Sequence, residues 1–234
     1  MKQILHATTA EHLRAELSHL DLHVPERADG RDSSHAERYC IAHFLAAFPT
    51  SRLSFPTTLI HRDRPDFELS MPGGSIGVEH TEAVPENVAR AQFLREKGAG
   101  PDVFFTPHAT PGEPRKTAAE LRQEIEVDEP GDGWGNDSAE NEWAVAIAHF
   151  VKEKYSKATA DGFLRYPENW LLVYDNWPLP NVDSTKAARF LYPLLKDEQA
   201  FEVFDAVFVM DSSQMCELRD SPIIYPLADL GAGS

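Results

Sequence analysis

The pattern of apolar and polar positions divides the chain into alternating helical and extended stretches. In "TTAEHLRAELSHL" (8–20) apolar residues recur at helical spacing behind a threonine, which predicts a short helix. "DLHVPERADGRD" follows as a polar loop punctuated by Pro and Gly. "SSHAERYCIAHFLAAF" (33–48) predicts a second helix, stopped by Pro49, and "SFPTTLIHR" (54–62) reads as a strand rich in β-branched and apolar residues. "RPDFELSMPGGSIGVEHTEA" (64–83) alternates on both sides of a Met-Pro-Gly-Gly turn and predicts a β-hairpin. "PENVARAQFLREKGAG" (85–100) opens on proline and closes on glycine, the asymmetry expected of a helix. Residues 98–140 read as an insertion, Pro-rich and acidic, with at most one helix in "TAAELRQEIEV". An amphipathic helix is predicted over 141–158, and "NWLLVYDN" (169–176) has the continuous apolar character of a strand buried on both faces. A helix in "STKAARFLYPLLKDEQ" and a strand over 204–211 complete an α/β layer fold, read as a single domain over residues 1–234.

The hairpin poses a chemical question. If Ser70 and Ser75 flank its four-residue loop, partner numbers sum to 145, so Asp66 lies opposite Glu79 and Glu68 opposite Gly77. The alternate face then carries Phe67, Leu69, Ile76 and Val78, which suits a core. Like charges directly opposite each other are destabilising, unless water screens them or a cation is held between them. Gly77 beside Glu79 leaves that face open to a close approach. A third acid, Glu37, has two readings. Ser34 and Glu37 form the S-x-x-E of a capping box. Yet Ile41, Phe44, Leu45 and Phe48 follow Glu37 at helical spacing and place it on the stripe that faces a sheet.

Composition narrows the partners. With 42% apolar and 10% aromatic residues in 234, the chain can bury a core. Formal net charge is −16, and ten acids against three bases fall between Glu113 and Glu142. Nucleic-acid binding is thus disfavoured as a bulk property, though not as a local one. Two distant cysteines without metal or disulfide patterning indicate a reducing compartment, hence a cytoplasmic protein. No apolar run approaches the roughly 20 residues of a membrane helix, and no signal-peptide core is visible near the N-terminus. Ten histidines show no compact ligand spacing, and neither GxSxG nor a P-loop occurs. Cys40 reads as a buried thiol. Trp134, Trp170, Trp177 and Tyr174 are of a kind to stack on bases, but core or loop anchoring accounts for them more simply.

Glu37 on a first helix, Pro65-Asp66 opening a strand and Glu79-His80-Thr81 on the next resemble the PD-(D/E)XK nuclease superfamily over roughly 33–176. The resemblance implies a restriction-endonuclease-like αβββαβ core, a central mixed sheet flanked by helices, here with the acidic insertion. It also implies that Asp66 and Glu79 bind Mg²⁺ or Mn²⁺ and that Glu37 is the first-helix acid. Mg²⁺ suits such a pair, since it is commonly held by one or two carboxylates plus waters and substrate phosphate. The departure is Thr81, which stands where the family carries a lysine. Lys154, seven residues after Ile147 and three after Val151, shares their helix face and is the candidate substitute; alternatively it is, like Lys152 and Lys157, a solvated charge near a helix C-terminus. The expected activity is metal-dependent hydrolysis of DNA or RNA. Two alternatives remain open: an inactive nuclease fold serving as a binding or regulatory module, and an acidic protein that occupies a basic partner surface.

Overall fold

The computed structural model describes residues 2–227 and Leu230. One mixed sheet of eight strands runs through it, with spatial order the same as sequence order. Strand β1 (Lys2–Ala7) leads through helix α1 (Ala10–Ser18), capped by the Thr9 side chain, to helix α2 (Ser33–Ala47). Strands β2 (Thr57–His61), β3 (Phe67–Met71) and β4 (Gly74–Ala83) form an antiparallel meander beside β1. Helices α3 (Glu86–Glu96), α4 (Ala118–Val127) and α5 (Ser138–Ala158) follow, and β5 (Glu168–Asp175) then pairs parallel to β4. After helix α6 (Ser184–Asp197), strand β6 (Ala206–Met210) continues the parallel section, and β7 (Gln214–Leu218) and β8 (Ile223–Pro226) add an antiparallel edge.

Helices cover both faces. On one, Leu13 and Leu17 of α1 and Ile41, Phe44, Leu45 and Phe48 from α2 and its end pack on Leu59, Phe67, Leu69, Val78, Trp170 and Phe208. On the other, Trp143, Ile147 and Val151 of α5 and Leu191 and Leu195 of α6 pack on Ala83, Leu171, Val173, Val207 and Val209. Strand β5 therefore buries successive residues on opposite faces, as its unbroken apolar run predicts. The same alternation turns Val78 of β4 toward α2 and Ala83 toward α5. Among the described residues no helix is long and apolar enough to cross a membrane.

Three features differ from the sequence reading. β1, β7 and β8 lie outside the predicted strands. The hairpin loop is tighter than four residues, because Met71 pairs with Gly74 and leaves only Pro72 and Gly73 at the tip. The capping box of α2 is formed by Asp32 and His35 rather than by Ser34 and Glu37, since the chain enters at Asp32 in extended conformation and Ser34 already lies inside the helix.

Candidate active site

The hairpin register is the predicted one: Ser70 faces Ser75, Leu69 faces Ile76, Glu68 faces Gly77 and Phe67 faces Val78. β3 begins at Phe67, whereas β4 runs on to Ala83, so β4 loses its antiparallel neighbour just beyond Val78. Asp66 fills that gap. Its main-chain oxygen accepts from the Arg62 amide at 2.7 Å, and its carboxylate Oδ2 accepts from the His80 amide at 2.7 Å. A short acidic side chain thus continues the ladder where the strand stops, and this fixes it beside Glu79.

Glu79 lies on the α5 face of β4 and is 7% exposed. Lys154, near the C-terminal end of α5, donates from Nζ to Glu79 Oε1 at 2.6 Å. Its side chain is mostly buried, so it is not one of the solvated cations of the helix end. Lys152 by contrast is well exposed and pairs with Glu198. Lys154 thus reaches Glu79 from the helix face that its spacing after Ile147 and Val151 predicts.

The electrostatics of this cluster are unbalanced. The Asp66 carboxyl is raised to about 7, first by burial and then by the Glu79 charge, against the opposing pull of Lys154 and the His80 amide. Glu79 Oε2 is buried and has no hydrogen-bond partner. One ammonium thus serves two adjacent carboxyls, and an inward-facing carboxylate oxygen is left over. That donor set fits a hard divalent cation, which takes carboxylate oxygens and completes its shell with water. His80, turned to the α2 face by strand alternation, is buried, and burial followed by the Lys154 charge lowers its imidazole to about 3. It is a neutral ring, and its Nε2 is also without a partner.

Glu37 is drawn in less directly. It is buried on α2, facing the sheet as its position among Ile41, Phe44 and Leu45 predicts, and accepts from His61 Nε2 at 3.0 Å. Its charge contributes to the elevation of Asp66, but no hydrogen bond joins it to Asp66 or Glu79 among the described residues. Glu68 is separate. Arg62, Ser75 and Tyr166 donate to it at 2.6, 2.9 and 2.8 Å, so it is held in a network of its own. Gly77 is not an opening for an incoming group: a Cβ there would stand 2.7 Å from the Tyr166 ring and 3.0 Å from Pro65. The close approach is made by the chain itself.

Asp66, Glu79 and Lys154 are thus brought together, with Glu37 and its partner His61 on the other face of the same sheet region. His61 and the His80 amide were missed by sequence reasoning. His61 is the last residue of β2 and shares the register row of Phe67 and Val78, which only the three-strand pairing reveals. Among the described residues no three His, Cys, Asp or Glu side chains converge as a ligand cluster, so the centre offers two carboxylates. Comparison with family models, with characterised proteins and with solved structures gives no match.

Proposed function

We propose that the chain is a metal-dependent phosphodiester hydrolase with a restriction-endonuclease-like core, acting on DNA or RNA in the cytoplasm. The observation that carries the reading is the 2.6 Å contact of Lys154 Nζ with Glu79 Oε1, beside an Asp66 whose carboxyl is elevated by the same Glu79. Two neighbouring acids, one of them in contact with an amine, are a set suited to metal-assisted attack of water on a phosphodiester. The order α2, β2, β3, β4, α5, β5 supports it, being the αβββαβ sequence that the resemblance implies. Two buried, unpaired cysteines support a reducing compartment.

In this reading Asp66 and Glu79 would hold Mg²⁺ or Mn²⁺. When bound, the cation supplies Lewis-acid polarisation of a phosphoryl oxygen and a more acidic water. Lys154 Nζ would donate to the phosphoryl oxygens as their charge grows, a task its burial favours because few waters compete there. Glu37, oriented by His61 Nε2, would accept a hydrogen bond from water on the α2 side. A route for the substrate is offered by a cavity of about 620 Å³ beside the β2–β3 connection, where Lys2, Arg62 and Arg64 gather around His61. Asp63 is also on the lining, so three cations and one acid leave a locally basic surface on a chain of net charge −16.

The second reading, an inactive nuclease fold that binds or regulates, draws on one observation. Lys154 already neutralises Glu79 directly, while Thr81 brings no charge. Incubation of plasmid, single-stranded DNA and RNA with Mg²⁺ or Mn²⁺ separates the two. Cleavage by wild type should fall by at least about 100-fold in each of Asp66→Ala, Glu79→Ala and Lys154→Ala, roughly 2.7 kcal/mol of transition-state stabilisation. Metal binding without cleavage favours the inactive fold, and cleavage that survives all three substitutions sinks the assignment of the centre.

A further inference from the structure

A second polar cavity, of about 400 Å³, opens at the carboxyl ends of β4 and β5 on the face covered by α2. None of its lining residues belongs to the carboxylate–amine centre. Three of its lining side chains meet on Glu82, whose Oε1 accepts from Arg27 Nη2 at 2.8 Å, Arg31 Nη2 at 2.9 Å and Asn176 Nδ2 at 2.6 Å. Arg27 also donates from Nε to Gln92 at 3.1 Å. Arg31 donates from Nη2 alone among the described residues. Tyr39 of α2 and Tyr174 of β5 meet edge to face at 5.8 Å and form another wall. Burial raises both phenols above their ordinary value, and both remain protonated donors.

The arginines share one carboxylate directly, since the nearby Glu96 meets Gln92 and the Ala28 amide and no guanidinium among the described residues. Two guanidinium groups converge on one carboxylate, and Asn176 competes for the same oxygen. A tie that merely fastened the 21–32 loop to β4 would need one cation; the second is surplus. Each guanidinium carries five N–H donors in a planar fork, so Glu82 aligns the pair without saturating it. Bidentate forks match the oxygens of a phosphate, and a phosphomonoester carries nearly two charges at neutral pH. The aromatic wall gives a planar base something to lie against. The volume is that of a small-ligand site, and the crevice beyond the carboxyl ends of parallel strands is where α/β sheets commonly bind ligands.

We propose that this cavity binds a nucleoside monophosphate, either free or as the phosphorylated end of a nucleic-acid chain, with Arg27 and Arg31 on the phosphate and Tyr39 and Tyr174 beside the base. The site stands whether or not the carboxylate–amine centre hydrolyses anything. It is nonetheless close to it: Glu82 is two residues beyond His80, about 7 Å along the strand, and Ala36 on its lining adjoins Glu37.

Calorimetric titration of the whole chain, without divalent metal, tests this with AMP, adenosine, inorganic phosphate and two oligonucleotides that differ only in a 5′-phosphate. AMP should bind one to one and at least about tenfold more tightly than adenosine, with inorganic phosphate competing. Arg31→Gln should weaken AMP at least about tenfold, while Asp66→Asn leaves it unchanged. Tighter binding of the phosphorylated oligonucleotide than of AMP assigns the pocket to a chain end, and the reverse assigns it to a free nucleotide. No AMP binding by wild type up to about 10 mM, adenosine equal to AMP, or a folded Arg31→Gln with undiminished affinity would overturn the proposal. Should Arg31→Gln fail to fold, the wild-type competition decides: phosphate that does not displace AMP overturns it equally.

Discussion

Asp66 is bound in two conflicting ways: a backbone amide wants it ionised, and its burial beside Glu79 wants it neutral. The second influence wins, since the carboxyl moves from an ordinary 3.8 to about 7. Folding then takes up a proton between those values. The stability tied to that proton is complete below about pH 4 and is lost as pH rises through about 7. Asn keeps an acceptor for the His80 amide and removes the charge. Asp66→Asn should therefore melt with wild type near pH 4 and several degrees above it at pH 8, as followed by circular dichroism. A difference that does not change with pH would mean that the burial cost has been misplaced. At this scale the sequence was informative where spacing fixes direction. Lys154 could be aimed from Ile147 and Val151 and Glu79 from strand alternation, whereas Asp66 precedes β3 and takes the His80 amide instead of pairing with Glu79 in the ladder. It was misleading for the Ser34–Glu37 box, because a local pattern cannot tell which of two overlapping caps the incoming chain will adopt.

Strand β4 organises the element scale. It is the last strand of an antiparallel meander on one side and the first of a parallel set on the other, and it carries Glu79, the His80 amide and Glu82 within four positions. Gly77 lies at the point where Tyr166 crosses it to reach Glu68 Oε2 at 2.8 Å. Gly77→Ala should cost about 1–3 kcal/mol by forcing that ring away. Adding Tyr166→Ala should recover part of the loss, a non-additivity measurable by urea denaturation of the four members of the cycle. Additive effects would show that the ring is not what the glycine accommodates. The hairpin, α2, α5 and β5 were legible because each has a long, clean period. β1 was not: its register slips between Gln3 and Leu5, so its apolar residues do not alternate. β7 and β8 follow β6 as two consecutive hairpins, but they are only five and four residues long, and polar Gln214 and Glu217 break the apolar pattern of β7.

Over the whole molecule the difficulty is charge. At −16 the chain repels polyanions, and at physiological salt that repulsion is screened beyond roughly 8 Å, so a substrate is governed by the charges it touches. Lys2, Arg62 and Arg64 supply these around His61, but Asp63 shares that lining and Arg62 is already committed to Glu68 at 2.6 Å. The Arg64 side chain is exposed and has no partner among the described residues. Two or three effective phosphate contacts imply that log K falls with log salt at a slope of about −2 to −3. Equilibrium binding of a short duplex, measured in chelator so that nothing is cut, should show that shallow slope. Arg64→Gln should reduce its magnitude by about one without altering the melting temperature. A slope steeper than about −6 would require a basic surface larger than this rim. A slope unaffected by Arg64→Gln would place the nucleic acid elsewhere, and the pocket held by Arg27 and Arg31 would be the next place to measure.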